Sequence, residues 1–127
     1  MDREILYRGK RMDGHGWVEG GIVPRANGQI FIAPIIDASQ IIIYAVDPAT
    51  VGQYTGLNDR NGKRIFDGDV VEYGGGKHKV VFVSNPHAYF GLDMIQEFGE
   101  IWPFSHSVPA GIMTVIGNIH DNPELME

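Results

Sequence analysis

The side chains best suited to hold a divalent cation fall within one short stretch: Asp59, Asn61, Asp67 and Asp69. A helix-loop-helix calcium loop starting at Asp59 needs an oxygen ligand at its fifth position and glycine at its sixth. Lys63 and Arg64 stand there instead, so that motif fails. Asp67 and Asp69 alone could hold one Mg²⁺ and serve a metal-dependent hydrolase or nuclease. Two aspartates flanking Gly68 equally describe a turn leading into a strand, and this is the favoured reading. His15, His78, His87, His106 and His120 are scattered without metal-ligand spacing. His120-Asp121 beside Asn118 could form an acid–base pair, but neither serine nor cysteine lies in a nucleophile motif to use it. Gly74-Gly75-Gly76-Lys77 lacks the spacing and the following hydroxyl residue of a phosphate-binding loop. No catalytic residue, cofactor or metal ligand is assigned.

Two basic clusters remain, Arg8-Gly9-Lys10-Arg11 and Arg60 with Lys63-Arg64. Tyr7, Trp17, Tyr54 and Phe66 lie close to them in sequence, and aromatics beside cations on a small barrel can stack single-stranded bases. The competing explanation is a solvated strand face over an ordinary aromatic core. Charge favours the latter. The net charge is −6; residues 1–80 hold all ten Lys and Arg, balanced by acids, whereas residues 81–127 hold acids alone. Phosphate binding requires several well-placed cations.

The elements that must position these residues are short and turn-rich. Seventeen glycines in 127 residues is nearly twice the usual share of roughly 7%. They are dispersed between apolar runs, as tight turns between strands would be. Cysteine is absent, which excludes disulfides and thiolate metal sites and fits a reducing compartment. The longest apolar run, Ile41–Val46, is far too short to span a membrane, and MDREILYRGKR has no apolar segment of a secretory signal. A soluble, cytoplasmic protein is expected.

In chain order, Glu4–Arg11 predicts a first strand, Asp13-Gly14-His15-Gly16 a turn, and Trp17–Val23 the return strand, ended by Pro24. Asn27-Gly28 predicts a second hairpin turn into Gln29–Ala33. Asp37–Gln40 reads as a loop, and Ile41–Val46 as a buried strand. Asp47-Pro48 predicts a turn; Ala49–Gln53 fits one helical turn or an extended segment equally well. Asn61-Gly62 is the strongest two-residue hairpin signal, implying a type I′ turn with positive φ at both residues. Asp67-Gly68 marks a corner into Asp69–Tyr73, Gly74–Gly76 a flexible hairpin tip, and Lys77–Val83 a strand. A strand over Tyr89–Met94, a short helix within Asp93–Gly99 and a last strand over Ile112–Ile119 complete the reading, with Gly117 at a bulge or close approach. The expected class is all-β, or mostly β with at most a short helix, in a single domain over residues 1–127.

Three stretches carry a family resemblance: REILYRGKR with the glycine-flanked Trp17, VDPATVGQYTGLNDRNGKRIFDGDVVEY, and VIGNIHDNPEL. Together they resemble the YopX family of phage and prophage proteins, from residue 3 to residue 125. The resemblance implies an SH3-like small barrel in the C-terminal part with an N-terminal β portion packed beside it. The approximate division is 1–46, 47–119 and a polar tail over 120–127. It also implies a bacterial host cytoplasm and self-association in some members, and it supplies no defined catalytic or ligand-binding residue. Gly74–Lys77 and Ser84–Pro109 carry none of the family pattern. The functional expectation is an accessory protein acting through protein contacts, as a homo-oligomer in one version. The alternatives are nucleic-acid binding by Arg8–Arg11 and Arg60–Arg64, and, least favoured, metal-dependent hydrolysis by Asp67 and Asp69.

Overall fold

The computed structural model describes residues 5–34, 42–84 and 88–126. The expected loop at Asp37–Gln40, and His87, lie outside the described residues. The protein is mostly β, built from antiparallel strands with one short α-helix and three 3₁₀ turns among the described residues. It divides into two compact units, Met1–Tyr54 and Thr55–Glu127.

The first unit begins with β1 (Tyr7–Lys10), β2 (Trp17–Pro24), β3 (Ile30–Ala33) and β4 (Tyr44–Val46), each antiparallel to the next. The Asp13–Gly16 and Asn27-Gly28 turns join the first three strands as the sequence predicts. On its other edge β1 pairs first with β5 (Gly52–Asn58), through Tyr7 and Arg8. Beyond Lys10 the chain reaches β4: Arg11 bridges Val46, Met12 N–H donates to Ala45 O (2.9 Å), and Asp47 N–H donates to Lys10 O (2.9 Å). The four strands therefore curl until the first meets the last. Missing side chains permit this curl. A Cβ on Gly9 would stand 2.8 Å from Val46 Cβ, and one on Gly20 would collide with the Ala33 carbonyl. Leu6, Ile32, Val46 and Tyr54 are buried in this unit.

The Ile41–Val46 expectation is corrected. Only Tyr44–Val46 is strand, while Ile42 and Ile43 are exposed and Ile41 is outside the described residues. The ladder ends at Ile32↔Tyr44 because the next partners would be Ala33 and then Pro34, which has no N–H to offer. Past β4, Asp47 Oδ1 accepts from Ala49 N–H (3.0 Å) and caps a 3₁₀ turn over Pro48–Thr50. This settles the open choice at Ala49–Gln53 as one helical turn followed by strand.

In the second unit the distal half of β5 leads through a hairpin into β6 (Arg64–Phe66). A five-stranded antiparallel sheet follows, in the order β10-β9-β8-β7-β11. Its strands are β7 (Asp69–Tyr73), β8 (Gly76–Val83), β9 (Tyr89–Met94), β10 (Glu100–Pro103) and β11 (Thr114–Asn118). Helix α1 (Ile95–Phe98) links β9 to β10 and ends on Gly99 in the left-handed region at φ 76°. Ile65, Val71, Val80, Leu92, Met94, Val108, Ala110 and Met113 form the core, with Trp102 and Phe104 packed against it. The pairing of β11 with β7 shifts register between Val115 and Gly117, so the expected bulge is present.

Two turn expectations change. At Asn61-Gly62 only Gly62 has positive φ (80°), and Asp59 N–H donates to Lys63 O (2.8 Å). The loop is therefore longer than a two-residue type I′ turn. The two-residue turn sits at Gly74-Gly75, between the paired residues Tyr73 and Gly76, with φ of 60° and 80°. The stretch read as a loose glycine tip is thus a tight β-turn.

Candidate functional site

Two of the aspartates singled out for metal chemistry, Asp59 and Asp69, face the backbone. Asp69, at the start of β7, is 1% exposed, and its Oδ2 accepts from Phe66 N–H at 2.8 Å. This carboxylate closes the corner around Gly68, while Asp67 is half-buried beside it. Asp59 is buried as well. Its Oδ1 accepts from Asn61 N–H (2.8 Å) and Lys63 N–H (2.9 Å), and its Oδ2 from Val115 N–H (2.9 Å). Burial pushes this carboxyl up, but the backbone donors of Val115, Lys63 and Asn61, with the nearby Lys63 charge, outweigh it. The carboxyl is held below the ordinary carboxylate range. Asp59 thereby ties the β5–β6 hairpin to β11, and Arg60 N–H adds a bond to Met113 O (2.9 Å). Among the described residues, no group of three or more His, Asp or Glu is arranged to hold a metal ion.

Asn118, His120 and Asp121 also belong to a turn. The Asn118 Oδ1 accepts from His120 N–H (3.0 Å) and Asp121 N–H (2.9 Å) as the chain leaves β11. The tail expected to be merely polar contains a 3₁₀ turn, Pro123–Met126.

The basic clusters differ in accessibility. In β1, Arg8 is buried with its guanidinium over the Trp17 ring at 4.9 Å. Arg11 lies over the Tyr44 ring at 4.0 Å and pairs with Asp13, whose carboxyl that contact lowers. Of this cluster only Lys10 is exposed. Arg60, Lys63 and Arg64 are all exposed at the β5–β6 hairpin. Its backbone is fixed by Asp59, so the cations project from a defined frame.

A different surface went unnoticed in the sequence. Phe98 at the end of α1 is 61% exposed and stacks on Trp102 of β10, with ring centroids 4.7 Å apart and planes inclined by 27°. Trp102 Nε1–H donates to Glu100 Oε1 at 3.1 Å. Ile95 of α1 is 55% exposed. Across α1 an open cleft of about 320 Å³ is lined by Ile95, Glu97, Lys77, Lys79, Asp93 and Met126, among others. The Lys79–Asp93 pair (3.9 Å) crosses from β8 to β9 there. The available signal was two large aromatics, Phe98 and Trp102, in a segment rich in acids and without cations. What sequence could not supply was the reversal at Gly99 that brings the rings together.

The described residues thus define a small, two-unit all-β protein with a fixed basic hairpin and an exposed acidic aromatic patch. The chain belongs to the YopX family: the profile described as YopX protein matches residues 23–127. In fold it is similar to the crystal structure of protein EF1440 from Enterococcus faecalis, with a TM-score of 0.57 and 23% identity, over 99% of this chain and 100% of the other. None of the curated proteins compared with it matches. Among the described residues, no helix is long and apolar enough to cross a membrane.

Proposed function

We propose that this YopX-family chain is a phage- or prophage-encoded accessory protein that acts in the bacterial cytoplasm through protein contacts, without catalysing a reaction. The observation that carries this reading is the Phe98–Trp102 stack. Two aromatic rings and Ile95 reach solvent on one short helix and the strand after it, and clustered exposed apolar groups mark interaction surfaces. Aromatic anchors of this kind dominate protein–protein binding energy. An SH3-like barrel in the C-terminal portion completes the proposed architecture. The test is an affinity capture from induced cells with the tagged protein, read by mass spectrometry. Specific enrichment of a protein over the tag alone supports the reading; none argues against it.

A second reading, single-stranded nucleic-acid binding, is favoured by one observation, the exposed Arg60, Lys63 and Arg64 on a fixed hairpin. The burial of Arg8 and the engagement of Arg11 remove most of the other cluster it relied on. A salt-dependent mobility shift with single-stranded DNA or RNA, lost on Lys63→Glu with Arg64→Glu, would support it. Absence of binding at low salt removes it.

A further inference from the structure

We propose that the acidic aromatic patch is a docking site for a second copy of this chain, which presents its Arg60–Lys63 hairpin tip, so that copies associate head to tail. The inference rests on reading the patch as a protein-contact surface, and it names the occupant. Phe98 has one ring face against Trp102 and is otherwise largely in solvent. The Glu100 carboxylate is held beside these rings by the Trp102 indole N–H. An aromatic face next to a fixed carboxylate suits a guanidinium, which stacks on the ring and donates to the acid together. The patch's own stretch supplies no guanidinium: residues 81–127 contain neither Lys nor Arg, and the cations at the neighbouring cleft are lysines, Lys77 and Lys79, the latter paired with Asp93.

The tip supplies it. Arg60 and Lys63 are exposed, while Arg60 N–H is bonded to Met113 O and Lys63 N–H to Asp59 Oδ1. Their backbone is ordered before binding, which lowers the entropy lost on association. The tip is tied to Met113 and Val115, at the β11 edge of the five-stranded sheet, whereas Glu100 and Trp102 lie on β10, at its opposite edge. Complementary surfaces at opposite edges make a heterologous contact, in which each copy offers its tip to one neighbour and its patch to another. Direct pairing of β10 edges is the weaker alternative. The strand has four residues and ends in Pro103, which cannot donate a ladder bond.

The test uses the full chain and two broken variants, Arg60→Glu with Lys63→Glu for the tip and Phe98→Ala with Glu100→Lys for the patch. Sedimentation or light scattering at low salt should show the wild-type mass rising above 14.1 kDa with concentration. It should fall back toward the monomer in roughly 0.5 M salt, where exposed charges are screened. Each variant alone should remain monomeric, and an equimolar mixture should form dimers through the one intact tip and one intact patch. Arg60→Gln with Lys63→Gln repeats the tip test without charge reversal, and circular dichroism confirms that each variant is folded. A wild type that stays monomeric at roughly millimolar concentration and low salt, variants that still associate, or a mixture that does not, would each overturn the proposal. A monomeric wild type that still captures another protein through Phe98 removes the second copy and leaves protein contact standing. Capture indifferent to Phe98 removes the surface itself.

Discussion

A buried carboxylate is unfavourable unless donors surround it, and Asp59 accepts three backbone N–H groups. Asp59→Asn keeps an oxygen for two of them but turns an amide N–H₂ toward Val115 N–H. The expected loss is about 2 kcal/mol at neutral pH, measured by denaturant unfolding. The sign of its pH dependence follows from the lowered folded-state value. In acid the unfolded chain binds the proton more readily, so the stabilisation is complete above the ordinary carboxylate range and fades as pH falls through the folded value. The difference between wild type and Asp59→Asn should therefore narrow below roughly pH 4. Sequence placed Asp67 at a corner and Asp69 at the start of the strand that follows, as the structure has them. Which peptide each carboxylate binds was hidden, because the Val115 bond spans 56 positions.

At the scale of elements, most strands were legible from local chemistry. Tyr89–Met94 matches β9 end to end, and the helix within Asp93–Gly99 is present as Ile95–Phe98. Asn61-Gly62 misled because Asp59 Oδ1 accepts from both Asn61 and Lys63 N–H and draws the loop into a longer turn. Two substitutions separate these geometries. Asn61→Ala should be nearly neutral, because Asn61 does not adopt positive φ, whereas Gly62→Ala should cost about 1 kcal/mol in thermal or chemical unfolding. Comparable costs for both would restore the type I′ turn. The curling of β1 onto β4 was also illegible, being set by close approach rather than by pattern. Gly20→Ala, whose Cβ would meet the Ala33 carbonyl, should destabilise the protein by about 3 kcal/mol. Gly21→Ala, with open space around its Cβ, is the control and should change little.

For the whole molecule, the division of charge along the chain has a structural counterpart in the second unit. Three cations are displayed at the hairpin tied to β11 and two more, Lys77 and Lys79, on β8, while Glu97 and Glu100 stand with Phe98 and Trp102 on α1 and β10. The charge division was readable from composition; the aromatic patch was not, since Phe98 and Trp102 meet only through α1 and Gly99. The central claim is that this patch makes the protein's working contacts. The most direct measurement is parallel capture from induced cells with wild type and Phe98→Ser, a substitution at an exposed position that should leave the melting temperature nearly unchanged. The account predicts a protein enriched by the wild type and depleted at least tenfold with Phe98→Ser, the equivalent of losing roughly 1.4 kcal/mol at a binding anchor. Equal recovery by both baits would contradict it.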